Sequence, residues 1–245
     1  MSQAVESVAR VMQERLDGLP SEQAYLGRFL GTYRRTTLAV GKAVDAAGFE
    51  DPDWVERWDV AFAELYVEAL DAHLSGGTPS RPWRLAFEAD PHLPPLRHVL
   101  LGINAHVNYD LPQALLAVIS DDDFTDPSLM ASRHRDHERI DGVLSSRVAA
   151  EDAELGQRGR TLFDRVLQPL NRLSSRRFLR EARTKVWHNT GELQAARLAG
   201  PSAYDVRLRE LEVLSAARIG DLLAPGQVLL RLAVAGFGVT LPPEG

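Results

Sequence analysis

Apolar residues along this chain return every three or four positions almost throughout, and no stretch alternates apolar and polar long enough for a half-buried strand. The expectation is an all-α fold. Residues 4–17 form a first amphipathic helix, broken by Gly18 to Pro20. A second runs from about Ser21 to Ala47, loosened by Gly27, Gly31 and Gly41. Asp51-Pro52 supplies an N-cap and a first helical residue for a third helix, which extends to about Ser75 and is ended by Gly76-Gly77-Thr78-Pro79. Prolines 79, 82, 91, 94 and 95 make the next stretch mostly loop, with a short turn around Trp83–Phe87. A fourth helix covers roughly 95–119, kinked by Pro112, which removes a hydrogen bond in the helix interior. Asp121-Asp122-Asp123 is a loop, and Asp126-Pro127 repeats the cap-and-proline start for a fifth helix reaching about Val148. Helical segments near 158–173, 175–199 and 202–223 follow, with Ser202 and Asp205 spaced much like a capping box. The apolar, Gly- and Pro-rich tail 226–241 takes no assigned element. With no internal repeat or low-complexity linker, residues 1–245 read as one helical domain, a bundle of about seven to nine helices.

Three predicted helices carry polar residues on their inward stripes. The fourth places Val99, Ile103, His106 and Asp110 on one line; the fifth places Met130, His134, His137, Asp141, Leu144 and Val148 on another. The third helix adds Asp59, Phe62, Tyr66, Ala69 and His73. In both His-x-x-x-Asp pairs the imidazole and carboxylate fall one turn apart on the same face. An exposed pair of this kind is worth only about 0.3–0.5 kcal/mol. A buried charge costs several times as much, roughly several kcal/mol in desolvation. Buried pairs therefore persist only when hydrogen-bonded, bound to a metal, or lining a wet pocket. His106 and Asp110 are flanked by Leu100, Leu101, Ile103, Val107, Leu111 and Leu115, which predicts burial. His137 and Asp141 stand among Arg133, Arg135, Asp136, Glu138 and Arg139, so a solvated charged helix is an equal expectation for them. A further pair, His188 and Glu192, lies opposite the apolar stripe Leu179, Ala182, Val186 and Leu193, and reads as a surface feature.

Composition narrows the chemistry. Hydrophobic residues make up 44% of the 245, as in an ordinary globular protein. The net charge of −6 argues against nucleic acid or an anionic membrane as partner. The chain has no cysteine, which excludes disulfides, thiolate metal sites and a cysteine nucleophile. The first residues, Met-Ser-Gln-Ala-Val-Glu, do not read as a signal peptide, and no apolar run reaches membrane-spanning length, so a cytoplasmic location is expected. No Gly-rich phosphate loop, nucleophile elbow or dinucleotide fingerprint is present, and no organic cofactor is indicated.

Two enzyme readings fit the polar stripes, each with a small-molecule substrate. In the first, His106, Asp110, His137 and Asp141 hold a divalent ion such as zinc, manganese or iron for metal-assisted hydrolysis or Lewis-acid chemistry. In the second, His106, Asp110, Tyr66 and Asp59 form a metal-free acid–base site of a cyclase or isomerase. Trp58, Phe62, Trp83 and Phe87 would then line its apolar pocket. A non-catalytic helical ligand-binding module is the alternative from another class. The oligomeric state has no signature in the sequence.

Three segments together carry a family resemblance: Trp58-Asp59-x-x-Phe62-Ala63-x-x-Tyr66-x-x-Ala69-Leu70, Pro82-Trp83 with Phe87, and Gly102-x-Asn104-Ala105-His106-x-x-x-Asp110-Leu111-Pro112. Over roughly residues 25–145 the chain resembles the bacterial domain-of-unknown-function 5995 family, frequent in actinomycetes. The resemblance implies no reaction. It directs attention to the shared residues of the third and fourth helices, adding Asn104 to the substrate-binding candidates, and is compatible with natural-product metabolism. The His-x-x-x-Asp element alone is also similar to that of zinc-dependent all-helical phospholipases.

Overall fold

Two Asp-Pro steps set two of the longest helices. Asp51 accepts the Trp54 amide at 2.9 Å with Pro52 in the first turn. Asp126 likewise accepts the amides of Ser128 and Leu129, at 2.9 and 3.1 Å. Each aspartate thus satisfies amides that the first helical turn leaves without partners. The computed structural model describes residues 3–155 and 184–224, among which there are helices and turns and no strand. They run α1 (Gln3–Asp17), α2 (Gly27–Asp45), α3 (Pro52–Leu74), α4 (Arg81–Phe87), α5 (Pro95–Ala105), α6 (Leu111–Val118), α7 (Pro127–Leu155), α8 (184–199) and α9 (Pro201–Leu223). The protein is an all-α bundle. The expected helix at 158–173, the first part of 175–199 and the tail 226–241 lie outside the described residues.

The differences from expectation have local causes. Residues Ser21–Leu26 wind as a tighter 3₁₀ helix before α2, so the expected second helix is two pieces. Around Trp83 the chain forms a full helix, because Pro82 sits in its first turn while Trp83, Ala86 and Phe87 bury one face. The expected capping box at Ser202 is absent: α9 begins at Pro201 after Gly200, whose φ of 119° lets the chain reverse between α8 and α9. The fourth helix is interrupted just ahead of Pro112. Residues His106–Asp110 form a π turn, in which the Leu111 amide bonds to the His106 carbonyl five residues back. Pro112 cannot donate, and its ring crowds the carbonyl four residues earlier, so the ladder widens immediately upstream.

This π turn lies at a seam. On one side Met12, Leu30, Tyr66, Leu70, Trp83, Leu101 and Ile219 form a core shared by α1 to α5 and α9. On the other, Val40, Trp54, Val55, Leu111, Leu115, Ile140 and Val186 join α2, α3, α6, α7 and α8. Phe62 packs against both. Helix α5 comes close to α2 at Gly102, where a methyl group would fall 2.3 Å from the Phe29 ring. Such overpacking typically costs about 1–3 kcal/mol. Gly102→Ala is therefore expected to lower the unfolding free energy measured in urea by that order, with Phe29→Leu restoring part of the loss in the double variant.

Candidate functional site

Helices α2, α3 and α4 converge their aromatic residues on the π turn. Phe62 of α3 stacks on His106 with ring centroids 3.5 Å apart and planes within 4°. Tyr33 of α2 meets the same ring edge-on at 4.3 Å. Phe29, Trp83 and Tyr66 close the enclosure at 5.9, 5.8 and 6.0 Å. Inside it, His106 and Asp110 are each only 2% exposed. His106 Nδ1 lies 2.8 Å from Asp110 Oδ2, and the Trp83 indole Nε1–H donates to that same oxygen at 2.8 Å. The carboxylate oxygen is thus fixed from two sides. The other imidazole nitrogen, Nε2, is buried without a partner, as are the Tyr66 hydroxyl and Asp59 Oδ2.

Burial governs the electrostatics. Desolvation pushes the Asp110 carboxyl well above the usual carboxylate range, and Glu68 adds to this, against the stabilising Trp83 bond. Desolvation alone holds His106 well below its ordinary value. Burial thus favours the neutral form of each group, in which the Asp110 hydroxyl donates to Nδ1 and the single imidazole N–H is on Nε2. The Tyr66 hydroxyl is raised by burial and stays protonated. Burial and, secondarily, Glu56 push Asp59 up to about 8. Tyr33 is raised by burial first and by Asp59 second.

The structure gathers His106, Asp110, Tyr66, Phe62 and Trp83, with Phe87 stacked on Trp83 at 5.0 Å. Asp59 is buried on α3 and acts on Tyr33. Trp58 is placed elsewhere, between Trp54 and His137, each 5.4 Å away. Asn104 is buried but spends its amide on α5 itself and on Asn108: it donates to the Leu100 carbonyl at 2.9 Å and accepts from the Asn108 amide at 3.2 Å. His137 is fully buried against Trp58 and Trp187, so it is not part of a solvated face, although Arg135, Glu138 and Arg139 beside it are exposed. The Asp141 side chain lies outside the described residues. Among the described residues no group of three or more His, Cys, Asp or Glu is placed to hold a metal ion. His188 and Glu192 are exposed, as the sequence indicated.

The family described as "Family of unknown function (DUF5995)" matches residues 5–225. The chain belongs to the DUF5995 family. That match reaches well beyond the segments 25–145 in which the resemblance was visible. No curated protein and no solved structure matches the chain significantly. No helix among the described residues is long and apolar enough to cross a membrane.

Sequence reasoning missed two walls of this DUF5995 site, Phe29 and Tyr33. Their signal was present in the spacing Phe29, Tyr33, Thr37 and Val40, an inward line on α2 that the glycines obscured. It also missed Asp136, which accepts the Glu50 and Asp51 amides at 2.8 Å each and clamps the loop before α3 onto α7. Arg133 pairs with Asp51 and lies over the Trp54 ring at 4.8 Å, tightening the same junction.

Asp110→Ala leaves two buried donors or acceptors unmatched and is expected to lose about 3–5 kcal/mol of stability. Asp110→Asn keeps an oxygen for Trp83 and should lose much less, as urea unfolding of both variants will measure. For Asp59 the folded value of about 8 stands above the ordinary 3.8. Between those values the folded state keeps a proton that the unfolded chain has released, so stability falls as pH rises. Asp59→Asn removes that dependence. Its stability relative to wild type should climb from about pH 4 to about pH 8 and then level, as denaturation midpoints across that range will show.

Proposed function

We propose that this protein is an acid–base enzyme that moves protons on a small, uncharged organic molecule, as an isomerase or cyclase does. The observation that carries the reading is the unpartnered Nε2 of His106, in a ring whose Nδ1 is held at 2.8 Å by Asp110. A buried polar atom without a partner costs about 1–3 kcal/mol, and such losses concentrate where a ligand supplies the missing bond. The surrounding rings suit an apolar substrate, and natural-product metabolism is the setting we propose for it.

The chemistry follows from the hydrogen bonds. Nε2–H gives its proton to the substrate while the Asp110 hydroxyl proton passes to Nδ1. The imidazole stays neutral throughout, as its apolar enclosure requires. The negative charge appears on Asp110, where the Trp83 and Nδ1 protons receive it. Taking a proton back from the substrate at a second carbon resets the pair, so one dyad serves as acid and then as base. The Tyr66 hydroxyl, also without a partner, supplies a bond to a substrate oxygen. The acid–base reading is preferred to a metal-assisted one because, among the described residues, no group of three or more His, Asp or Glu could hold an ion. A non-catalytic binding module is the second reading; it is favoured by the near-complete enclosure of the pair.

Uncharged cyclic ketones in deuterated buffer provide the test, with exchange beside the carbonyl followed by NMR. The wild type should accelerate exchange, and His106→Gln should reduce that acceleration at least about 100-fold while remaining folded. Exchange at the buffer rate across the panel, or an unaffected His106→Gln variant, would remove the acid–base reading in favour of the binding module.

A further inference from the structure

Helix α9 packs on α4, α5 and the π turn, burying Leu211, Ser215, Ala216, Ile219 and Leu222. Its opposite face is exposed. Among the described residues the exposed large apolar side chains are Leu198, Val206, Val213 and Leu214. The last three stand on α9, at 47, 52 and 62% exposure, and Leu198 lies just before the Gly200 reversal that leads into it. Scattered exposed leucines and valines are ordinary, whereas their gathering on one element marks a contact surface. The charges on this face follow an order centred on Leu214. Arg207 and Glu210 stand seven and four residues before it, and Arg218 and Asp221 four and seven after it. At 3.6 residues per turn, all four fall within about 40° of Leu214 around the helix. Glu210 and Asp221 are exposed and Arg218 is half-buried. Arg207 meets Glu210 at 3.1 Å and donates to Asn189 at 3.2 Å, while Arg218 and Asp221 form no ion pair among the described residues.

We infer that this face is the contact surface of a homodimer, in which α9 pairs antiparallel with α9 of a second copy about a two-fold axis through Leu214. Such an axis exchanges positions equally far before and after it. It sets Glu210 level with Arg218 of the second copy, and Arg207 level with its Asp221, each pairing occurring twice. Every charge on the stripe then meets its opposite. A parallel pairing in register would set each charge against itself, so the order of charges selects the antiparallel one. Leu214 meets its counterpart on the axis, Val213 flanks it in both copies, and Val206 and Ala217 extend the apolar strip. The net charge of −6 repels a second copy at long range, so the attraction must come from this complementary face. One helix from each copy makes a small interface, which implies a weak, concentration-dependent dimer. The pairing lies outside the His106 enclosure and does not rest on the acid–base reading.

Sedimentation equilibrium of the full-length chain tests it, using two charge reversals on the outward face, Glu210→Arg and Arg218→Glu. The wild type should self-associate with a dissociation constant of about 10–100 µM. Each single reversal sets like charges level across the axis and should weaken association at least about tenfold. Mixed in equal amounts, the two variants should recover the wild-type association, because each reversed charge then meets its opposite in the other chain. Leu214→Ser, which removes the apolar contact on the axis and alters no charge, should weaken the wild-type association as well. A wild type that stays monomeric to about 1 mM would overturn the inference and leave the face to a different partner. Association that ignores the single reversals or Leu214→Ser would place the contact elsewhere on the molecule and overturn it equally. So would a mixture that associates no better than its separate components.

Discussion

The architecture around α5 and α6 depends on one constraint: a histidine and an aspartate removed from water must be matched to each other. Charged, they would demand desolvation of several kcal/mol each; neutral and hydrogen-bonded, they cost far less. The 2.8 Å approach of His106 Nδ1 to Asp110 Oδ2 and the Trp83 indole bond to that same oxygen provide the match. Trp83 belongs to α4 and the pair to the turn between α5 and α6, so this contact also ties a short helix to the centre of the bundle. Phe62 stacked at 3.5 Å excludes water from one face and spans the two cores between which the pair lies.

The same enclosure that makes the pair expensive gives it chemical character. In water an imidazole and a carboxylate at pH 7 would leave a charge on the aspartate; here burial moves both toward their neutral forms. A neutral dyad can pass a proton in at one nitrogen and out at the other. The π turn contributes by placing His106 and Asp110 where the helix ladder is already interrupted, a type of irregularity frequent at functional sites. A second buried histidine, His137, occupies a different aromatic setting with Trp58 and Trp187. Two polar centres are therefore distributed over two cores, rather than merged in one.

The hydrophobic period alone determined that this is a helical protein, and the Asp-Pro steps at 51–52 and 126–127 marked two helix starts. It also determined the burial of His106 and Asp110, because their apolar flanks left them no route to solvent. Tertiary structure decided the rest. Whether the charged stretch around His137 faced water depended on Asp136 being recruited to the Glu50 and Asp51 amides, contacts 86 and 85 residues distant in sequence. The aromatic partners of His106 come from three other helices, and no spacing within one helix reveals which rings meet. Trp58 and Phe62 show this most directly: they lie four apart on α3 and share a sequence motif, yet one packs on His137 and the other on His106. A helix fixes the direction of a side chain, but only the neighbouring helices decide what stands in that direction.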